Sequence, residues 1–565
     1  MPTSMVPNRF SNTLAKFAAT LFSLLVISAL AAAQLQIGSG NTAFADPKVT
    51  RPHTTPCKVT LYQGYKFADF NPKSFTYTPP ASCPGPWAKV ILEANFSINQ
   101  GRQYDRTANI WIGPTNIYFG TTSEPSHNVS RHWHVERDLT DYSSIFTVSQ
   151  VGTVDLGNLV NQIYTGILHG SADILFYPPA SGQLPPRSAD QVVAFSGGPT
   201  GGTVALNTTT DLLEQTVTLP TNVTDLYFDV FAQSQSGDEF WYTCVPNDVA
   251  SELQSCGNTA FREGEVTIDG NPAGVAPIYP WIYTGGIDPY LWRPIPGVQT
   301  MNFLPYRVNL TPFASTLDDG QPHTIALSVY NANGYFSATA SLLLYVDSTV
   351  TQFTGALTQN TLTAPAPSVV ENIQVSQKGA ITGGVTVKSG HNFTISGYIN
   401  TPSGPVTTTV NQNINFASAQ YFTINSTEYQ QNINQSTTIN SSVATQNAGG
   451  VFADIVSQTW PLTMDITLLV NSDGSFSQTT TSDQYYENDR QSRRNGKTTF
   501  SSVVKNQVNP ADTLNFDSSG NFTGNTNQSS LQNYLAQDST GYCYSRSIAA
   551  NTGLLTSIVD GQGCN

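Results

Sequence analysis

Glu265-Val266-Thr267-Ile268-Asp269-Gly270 decides the fold class. Polar and apolar residues alternate with a period of two, so one face of the segment is apolar, and Asp-Gly then turns the chain back as a hairpin does. The pattern recurs at Leu226-Tyr227-Phe228-Asp229-Val230-Phe231 and at Thr324-Ile325-Ala326-Leu327-Ser328-Val329-Tyr330. Earlier in the chain it returns at Lys58–Tyr62, Ser74–Tyr77, Lys89–Phe96, Ala108–Ile112 and Ala172–Tyr177. Many short strands with frequent turns describe an all-β sandwich, barrel or jelly roll, and nothing suggests parallel strands joined by crossover helices.

The 565 residues exceed the usual size of one domain. Strand patterns over 57–180 form one β unit, and a Pro- and Gly-rich stretch, Pro178–Pro186, links it to a second unit over 187–347. Residues 348–369 shift to Thr, Gln, Ala and Pro and read as a linker. Residues 370–565, dense in Asn, Ser and Thr, read as an accessory β-rich domain without a catalytic constellation, and residues 34–56 as an N-terminal segment.

Arg9 and Lys16 precede the apolar run Phe17–Leu30, which ends in Ala31-Ala32-Ala33. This has the form of a secretory signal over residues 1–33 and predicts a secreted or extracytoplasmic protein that does not span a membrane. Only 11% of residues are charged, and the formal charge is -14, which argues against nucleic acid as a partner. Sequons such as Asn95-Phe96-Ser97 and Asn521-Phe522-Thr523 are frequent in so Asn-rich a chain. Six cysteines in an exported chain favour disulfides between sequence neighbours, Cys57 with Cys83, Cys244 with Cys256, and Cys543 with Cys564. The middle pair would staple the loop that leaves Glu239.

Two acids stand beside aromatic residues. They are Asp105, in Tyr104-Asp105-Arg106-Thr107-Ala108-Asn109-Ile110-Trp111, and Glu239, in Gly237-Asp238-Glu239-Phe240-Trp241-Tyr242. If both lie on strands, Asp105 shares a face with Trp111 and Glu239 with Trp241. Carboxylates next to aromatic faces suit sugar chemistry, because a ring stacks on the pyranose while a carboxyl moves a proton. The run Ala276–Ile295, with its prolines, glycines and aromatics, reads as a rigid loop in which Arg293 could hold an amide oxygen. His132-Trp133-His134, with His169 and His323, offers a competing metal-dependent chemistry, but the pattern is a common surface feature and no metal is expected. There is no nucleophile elbow and no phosphate-binding loop.

The stretches Gly237–Tyr242, Tyr283–Pro294 and Leu317-Asp318-Asp319-Gly320-Gln321-Pro322-His323 resemble the A-type peptide:N-glycanases, closely over about residues 57–347 and loosely beyond. A more distant resemblance reaches the F-type bacterial glycoamidases, built as two side-by-side jelly rolls with the active site between them. Asp105-Arg106-Thr107-Ala108-Asn109 is similar to their catalytic strand except at Thr107, and Glu239-Phe240-Trp241 is similar to the surroundings of their glutamate. That family has a further glutamate in a Tyr-Thr-Glu strand, where this chain reads Tyr164-Thr165-Gly166; His169 is a weak substitute.

The resemblance implies two antiparallel jelly rolls followed by the accessory region. It implies a cofactor-free amidohydrolase that cuts between asparagine and the innermost N-acetylglucosamine of N-glycosylated peptides or denatured glycoproteins, leaving aspartate and a glycosylamine. Asp105 would activate the water or attack the carbonyl, and Glu239 would polarise the carbonyl or protonate the leaving nitrogen. Arg106 and Arg293 would hold the acetamide or the oxyanion, and Trp241 and Trp292 would stack the sugars. A monomer is expected. A two-carboxylate glycosidase and a secreted carbohydrate-binding protein are the alternatives.

Overall fold

The computed structural model describes residues 35–564, so the signal-peptide reading of residues 1–33 lies outside the described residues. The first β unit packs two four-stranded antiparallel sheets face to face. One runs Cys57–Phe67, Leu168–Tyr177, Lys89–Ile98, Arg131–Asp138 in spatial order. The other runs Lys73–Tyr77, Gln150–Asp155, Thr107–Ile112, Thr115–Thr121. Counted along the chain, these orders are 1-8-3-6 and 2-7-4-5, the strand order of an eight-stranded jelly roll.

The second unit repeats that order. Val204–Thr208, Asn333–Val346, Val223–Gln235 and Tyr306–Asn309 form one sheet, with the extra strand Gln191–Phe195 paired to Asn333–Val346. Leu213–Val217, His323–Tyr330, Glu263–Ile268 and Asn271–Pro277 form the other. The hairpin read from Asp269-Gly270 is present: Ile268 pairs with Asn271, and both turn residues adopt positive φ.

The rolls meet along Thr115–Thr121, which is buried throughout its length. A segment of the second roll lies against it, with Thr121 N–H donating to Thr300 O at 3.0 Å and Phe303 N–H to Phe119 O at 2.9 Å. Phe119 packs on Phe231 and Phe303, with ring centroids 5.6 and 5.4 Å apart. On the flank, Arg307 binds both Asp229 of its own roll (2.7 Å) and Asp141 of the first (2.8 Å).

The region expected to be a linker and a separate accessory domain is built differently. Thr354–Asn360 and Ser368–Val375 are strands that pair with Ile381–Thr401 and open an 11-stranded antiparallel sheet, which continues strand by strand to Leu554–Asp560. Its strands alternate cleanly, as the burial of Gly404–Ile424 shows, and the inner face carries Phe393, Ile395, Trp460, Leu462 and Met464. These join Phe228, Val230 and Ile282 in one continuous core, whereas the first roll has its own. Each large apolar side chain buried there contributes about 1.5–3 kcal/mol, so the sheet and the second roll depend on each other to stay folded.

Disulfides join Cys244 to Cys256 and Cys543 to Cys564, as expected from spacing. Cys57 and Cys83 are free thiols instead. The Cys83 thiol donates to Phe176 O, the Cys57 sulfur lies beside the Ser82 hydroxyl, and burial pushes the Cys83 thiol up to about 11.

Candidate active site

Asp105 and Glu239 leave their rolls from the same connection, the one between the third and fourth strands. Asp105 lies between Lys89–Ile98 and Thr107–Ile112, and Glu239 between Val223–Gln235 and Glu263–Ile268. Neither acid is on a strand, so the expected shared faces with Trp111 and Trp241 do not exist. Asp105 precedes its strand, and Glu239 closes a short 3-10 turn with helical φ and ψ of -52° and -42°.

That turn is fixed by the neighbouring acid. Asp238 is fully buried; Arg262 Nε donates to its Oδ1 at 2.8 Å and the Asn333 amide to its Oδ2 at 2.7 Å. With Asp238 pinned inside, Glu239 is turned outward and remains half-buried. Two residues further on, Trp241–Thr243 form a second 3-10 turn that the Cys244–Cys256 bridge ties down.

Asp105 receives the Gly285 N–H from the second roll at 3.2 Å on Oδ2. Its own amide points at a residue that sequence reasoning missed, Glu124, with N to Oε1 at 3.3 Å. Glu124 belongs with Asp105 because the two strands that flank them form a hairpin: Thr107 pairs with Thr121, and Arg106 and Thr122 are bonded in turn. A register shift between Ile110 and Trp111 moves the pairing by one residue, so counting outward from the Gly113-Pro114 turn leads only to the neighbourhood of Glu124. Gly285 lies under both acids, since a Cβ built there would stand 2.5 Å from Glu124 Oε1 and 2.9 Å from Asp105 Oδ1.

The electrostatics separate the three carboxyls. Burial, and then the charge of Asp105, push Glu239 up to about 7. Burial and Asp105 push Glu124 up to about 7 against the opposing pull of Arg293. Asp105 is itself raised by burial, but the Gly285 amide and Arg106 favour its ionised form. The charge of Asp105 raises the other two, so of the three Asp105 is the one whose ionised form the site favours most.

The expected binding residues are placed differently. Arg293 Nη2 donates to Glu124 Oε2 at 2.8 Å, and its guanidinium lies over Tyr290, so its partner within the protein is the third acid. Arg106 adjoins Asp105 and donates from Nη2 to Gln103 Oε1 at 2.9 Å. Trp241 and Trp292 are 1% and 2% exposed, and this corrects the expectation that they stack sugars. Trp241 packs on Tyr242 and Phe416, while the Trp292 indole N–H donates to Gly286 O and braces its own loop. The accessible aromatics beside Asp105 are Tyr104, 48% exposed, and its partner Tyr164, with centroids 5.3 Å apart.

Gly166 has no room for an acid, since a Cβ there would meet Gln103 Cβ at 2.8 Å. His169 stands on the solvent side of its strand, between the buried Leu168 and Gly170, opposite Lys66 and Ser97. His132 is exposed, and His134 lies with Glu93 and Glu136 in a group whose ligand atoms fall within 4.8 Å. Arg51 already binds both of those glutamates, at 2.6 and 2.8 Å.

The long sheet backs this site. A row of its buried glutamines donates to backbone carbonyls of the segments that carry Glu239 and Gly285: Gln420 to Cys244 O (2.8 Å), Gln431 to Thr243 O (3.0 Å) and Gln484 to Pro280 O (2.7 Å). Gln528 reaches the carbonyls of Tyr290 and Arg293.

Residues 47–363, more than half of the chain, match the family model described as peptide N-acetyl-beta-D-glucosaminyl asparaginase amidase A, and the chain belongs to that family. It is 28% identical over 450 residues to the peptide-N4-(N-acetyl-beta-glucosaminyl)asparagine amidase A of Prunus dulcis, spanning 75% of this chain and 77% of that one. Among solved structures, PNGase F from Flavobacterium meningosepticum, titled a glycosylasparaginase, aligns over 52% of this chain and 97% of its own at 13% identity and a TM-score of 0.35. PNGF-II aligns over 52% and 66% at 12% identity and a TM-score of 0.36. The jelly-roll assignment rests on the strand order itself.

Proposed function

We propose that Asp105 and Glu239, supported by Glu124, hydrolyse the amide between asparagine and the innermost N-acetylglucosamine. The chain is an asparagine-N-acetylglucosamine amidase, and its natural substrates are N-glycosylated peptides. Asp105, whose ionised form the Gly285 amide favours, takes a proton from the attacking water as its oxygen bonds to the amide carbon. Glu239, protonated below about pH 7, gives its proton to the amide nitrogen as the C–N bond breaks. The peptide keeps an aspartate and the sugar leaves as a glycosylamine. Arg106, with Nη2 bound to Gln103, turns Nη1 toward the developing oxyanion or the sugar acetamide, and Tyr104 with Tyr164 supplies the stacking surface. Arg293 acts through Glu124, holding that carboxyl beside Asp105.

The observation that carries this reading is the seating of two first-roll acids, Asp105 and Glu124, on Gly285 of the second roll, with Glu239 of the second roll near enough for the charge of Asp105 to raise it. Mass spectrometry of one N-glycopeptide after incubation tests it. Aspartate on the peptide is the expected product; asparagine carrying one sugar would make the protein a glycosidase, and an intact glycopeptide a binding protein. The same reading places the protein outside the cytoplasm, where disulfides persist. Among the described residues no helix is long and apolar enough to cross a membrane.

A further inference from the structure

A cleft of about 820 Å³ opens between the second roll and the long sheet, and none of Asp105, Glu124 or Glu239 lines it. Its size falls within the roughly 300–1,000 Å³ common for ligand sites. Its inner end is aromatic: Trp460 meets Tyr279 and Tyr306 edge-on, at 5.4 and 6.3 Å between centroids. Its outer end is basic, with Arg187, Arg307, Arg490, Arg493 and Arg494 in the wall against only Asp225 and Asp454, in a chain whose formal charge is -14.

Three of these arginines are spoken for: Arg187 by Asp225, Arg307 by Asp229 and Asp141, and Arg490, loosely, by Asp454 at 3.5 Å. Arg493 and Arg494 have no carboxylate at salt-bridge distance among the described residues. Arg494 lies over Phe452, and Arg493 Nε is buried without a partner. Trp460 Nε1, Gln458 Oε1 and Asn488 Oδ1, in the same wall, are also buried and unpartnered. Buried polar atoms are nearly always satisfied, so four in one wall point to a ligand that brings hydroxyls and negative charge.

We propose that this cleft is a second binding site, for an oligosaccharide that carries carboxylate groups. Sugar rings offer faces to the aromatics and hydroxyls to the amides, and a carboxylate matches the planar fork of arginine. An acidic peptide fits less well, because the edge strand in the wall, Tyr306–Asn309, is only four residues long and gives little backbone to pair with.

Isothermal titration of the full chain with tetragalacturonate, with cellotetraose and with tetraglutamate tests this. The comparison protein is the doubly substituted Arg490→Glu, Arg494→Glu variant, both positions being exposed and remote from the core. Tetragalacturonate is expected to bind at least about tenfold more tightly than cellotetraose, and the double variant to lose about tenfold or more, as for one charge-assisted hydrogen bond. The variant's glycopeptide hydrolysis is expected to stay at the wild-type rate. Absence of tetragalacturonate binding, equal binding of cellotetraose, or unchanged affinity in the variant overturns the proposal. Tighter binding of tetraglutamate would make the cleft a peptide site instead.

Discussion

The backbone amide of Gly285 donates to Asp105 across the seam between the two jelly rolls, and a larger residue in its place would push both neighbouring carboxyls aside. A methyl group there would press on Asp105 Oδ1 and Glu124 Oε1 together. Gly285→Ala is therefore expected to lower kcat for glycopeptide cleavage about 100-fold, the effect of roughly 1 Å of misplacement. Thermal melting should change little. A variant with wild-type kcat would remove the Gly285 contact from the mechanism.

Asp105→Asn and Glu239→Gln are each expected to lower the rate by about 10² to 10⁴, the usual worth of a positioned acid or base. Their pH profiles should differ. Glu239 is needed protonated and its carboxyl is raised to about 7, so wild-type kcat should fall as pH rises through about 7. In Glu239→Gln that alkaline limb should vanish from the residual rate, whereas Asp105→Asn should keep it. Initial rates from pH 4 to 9 decide the matter.

Glu124 and Arg293 should behave as a unit, since the ion pair between them is almost buried. Glu124→Gln leaves a guanidinium without its partner, and Arg293→Met leaves a buried acid without its own. Each single change is expected to cost more than about tenfold in kcat/KM, and the double change less than the product of the two. A double-mutant cycle on hydrolysis rates measures this, and strict additivity would mean that the pair is not coupled to the reaction.

Where the loop of Arg293 meets the long sheet, Asp288 faces Asp512, and both side chains are buried. Burial, and then the charge of Asp512, raise Asp288 from 3.8 to about 7. A carboxyl raised on folding adds stability that is complete below its ordinary value and is lost as pH rises through the folded one. The melting temperature should thus drop between about pH 4 and 8. Asp512→Asn removes the like charge and should shrink that drop by about 1–3 °C in calorimetry. An unchanged pH dependence would show that the two acids do not share a proton.

Ending the chain after residue 363, where the family match stops, is expected to give insoluble protein. Phe228, Val230 and Ile282 would lose the apolar cover that Phe393, Trp460 and Leu462 supply. Soluble, active protein from that fragment would mean that the second roll is stable without the long sheet.

The strands were legible because alternation is a local property: 265–270 reads as a hairpin and is one. The motifs around Asp105 and Glu239 drew attention to these two acids, but their surroundings were not legible. Trp241 and Trp292 look like sugar platforms in sequence, and only the packing of Phe416 and the bond to Gly286 shows them to be interior struts. Glu124 has no aromatic neighbour to mark it, and its meaning depends on hairpin register and on an arginine 169 positions away. Residues 370–565 look like an independent domain because their polar alternation is self-sufficient as strands. Their dependence lies in which face is covered, which the pattern does not encode.

Both rolls share one strand order, and each gives up its acid from the same connection. Within that shared order the two connections are built differently: the first is backed by the hairpin residue Glu124, and the second is tied down by the Cys244–Cys256 disulfide. The strand order is repeated and the loops are not, so neither roll alone holds all three of Asp105, Glu124 and Glu239.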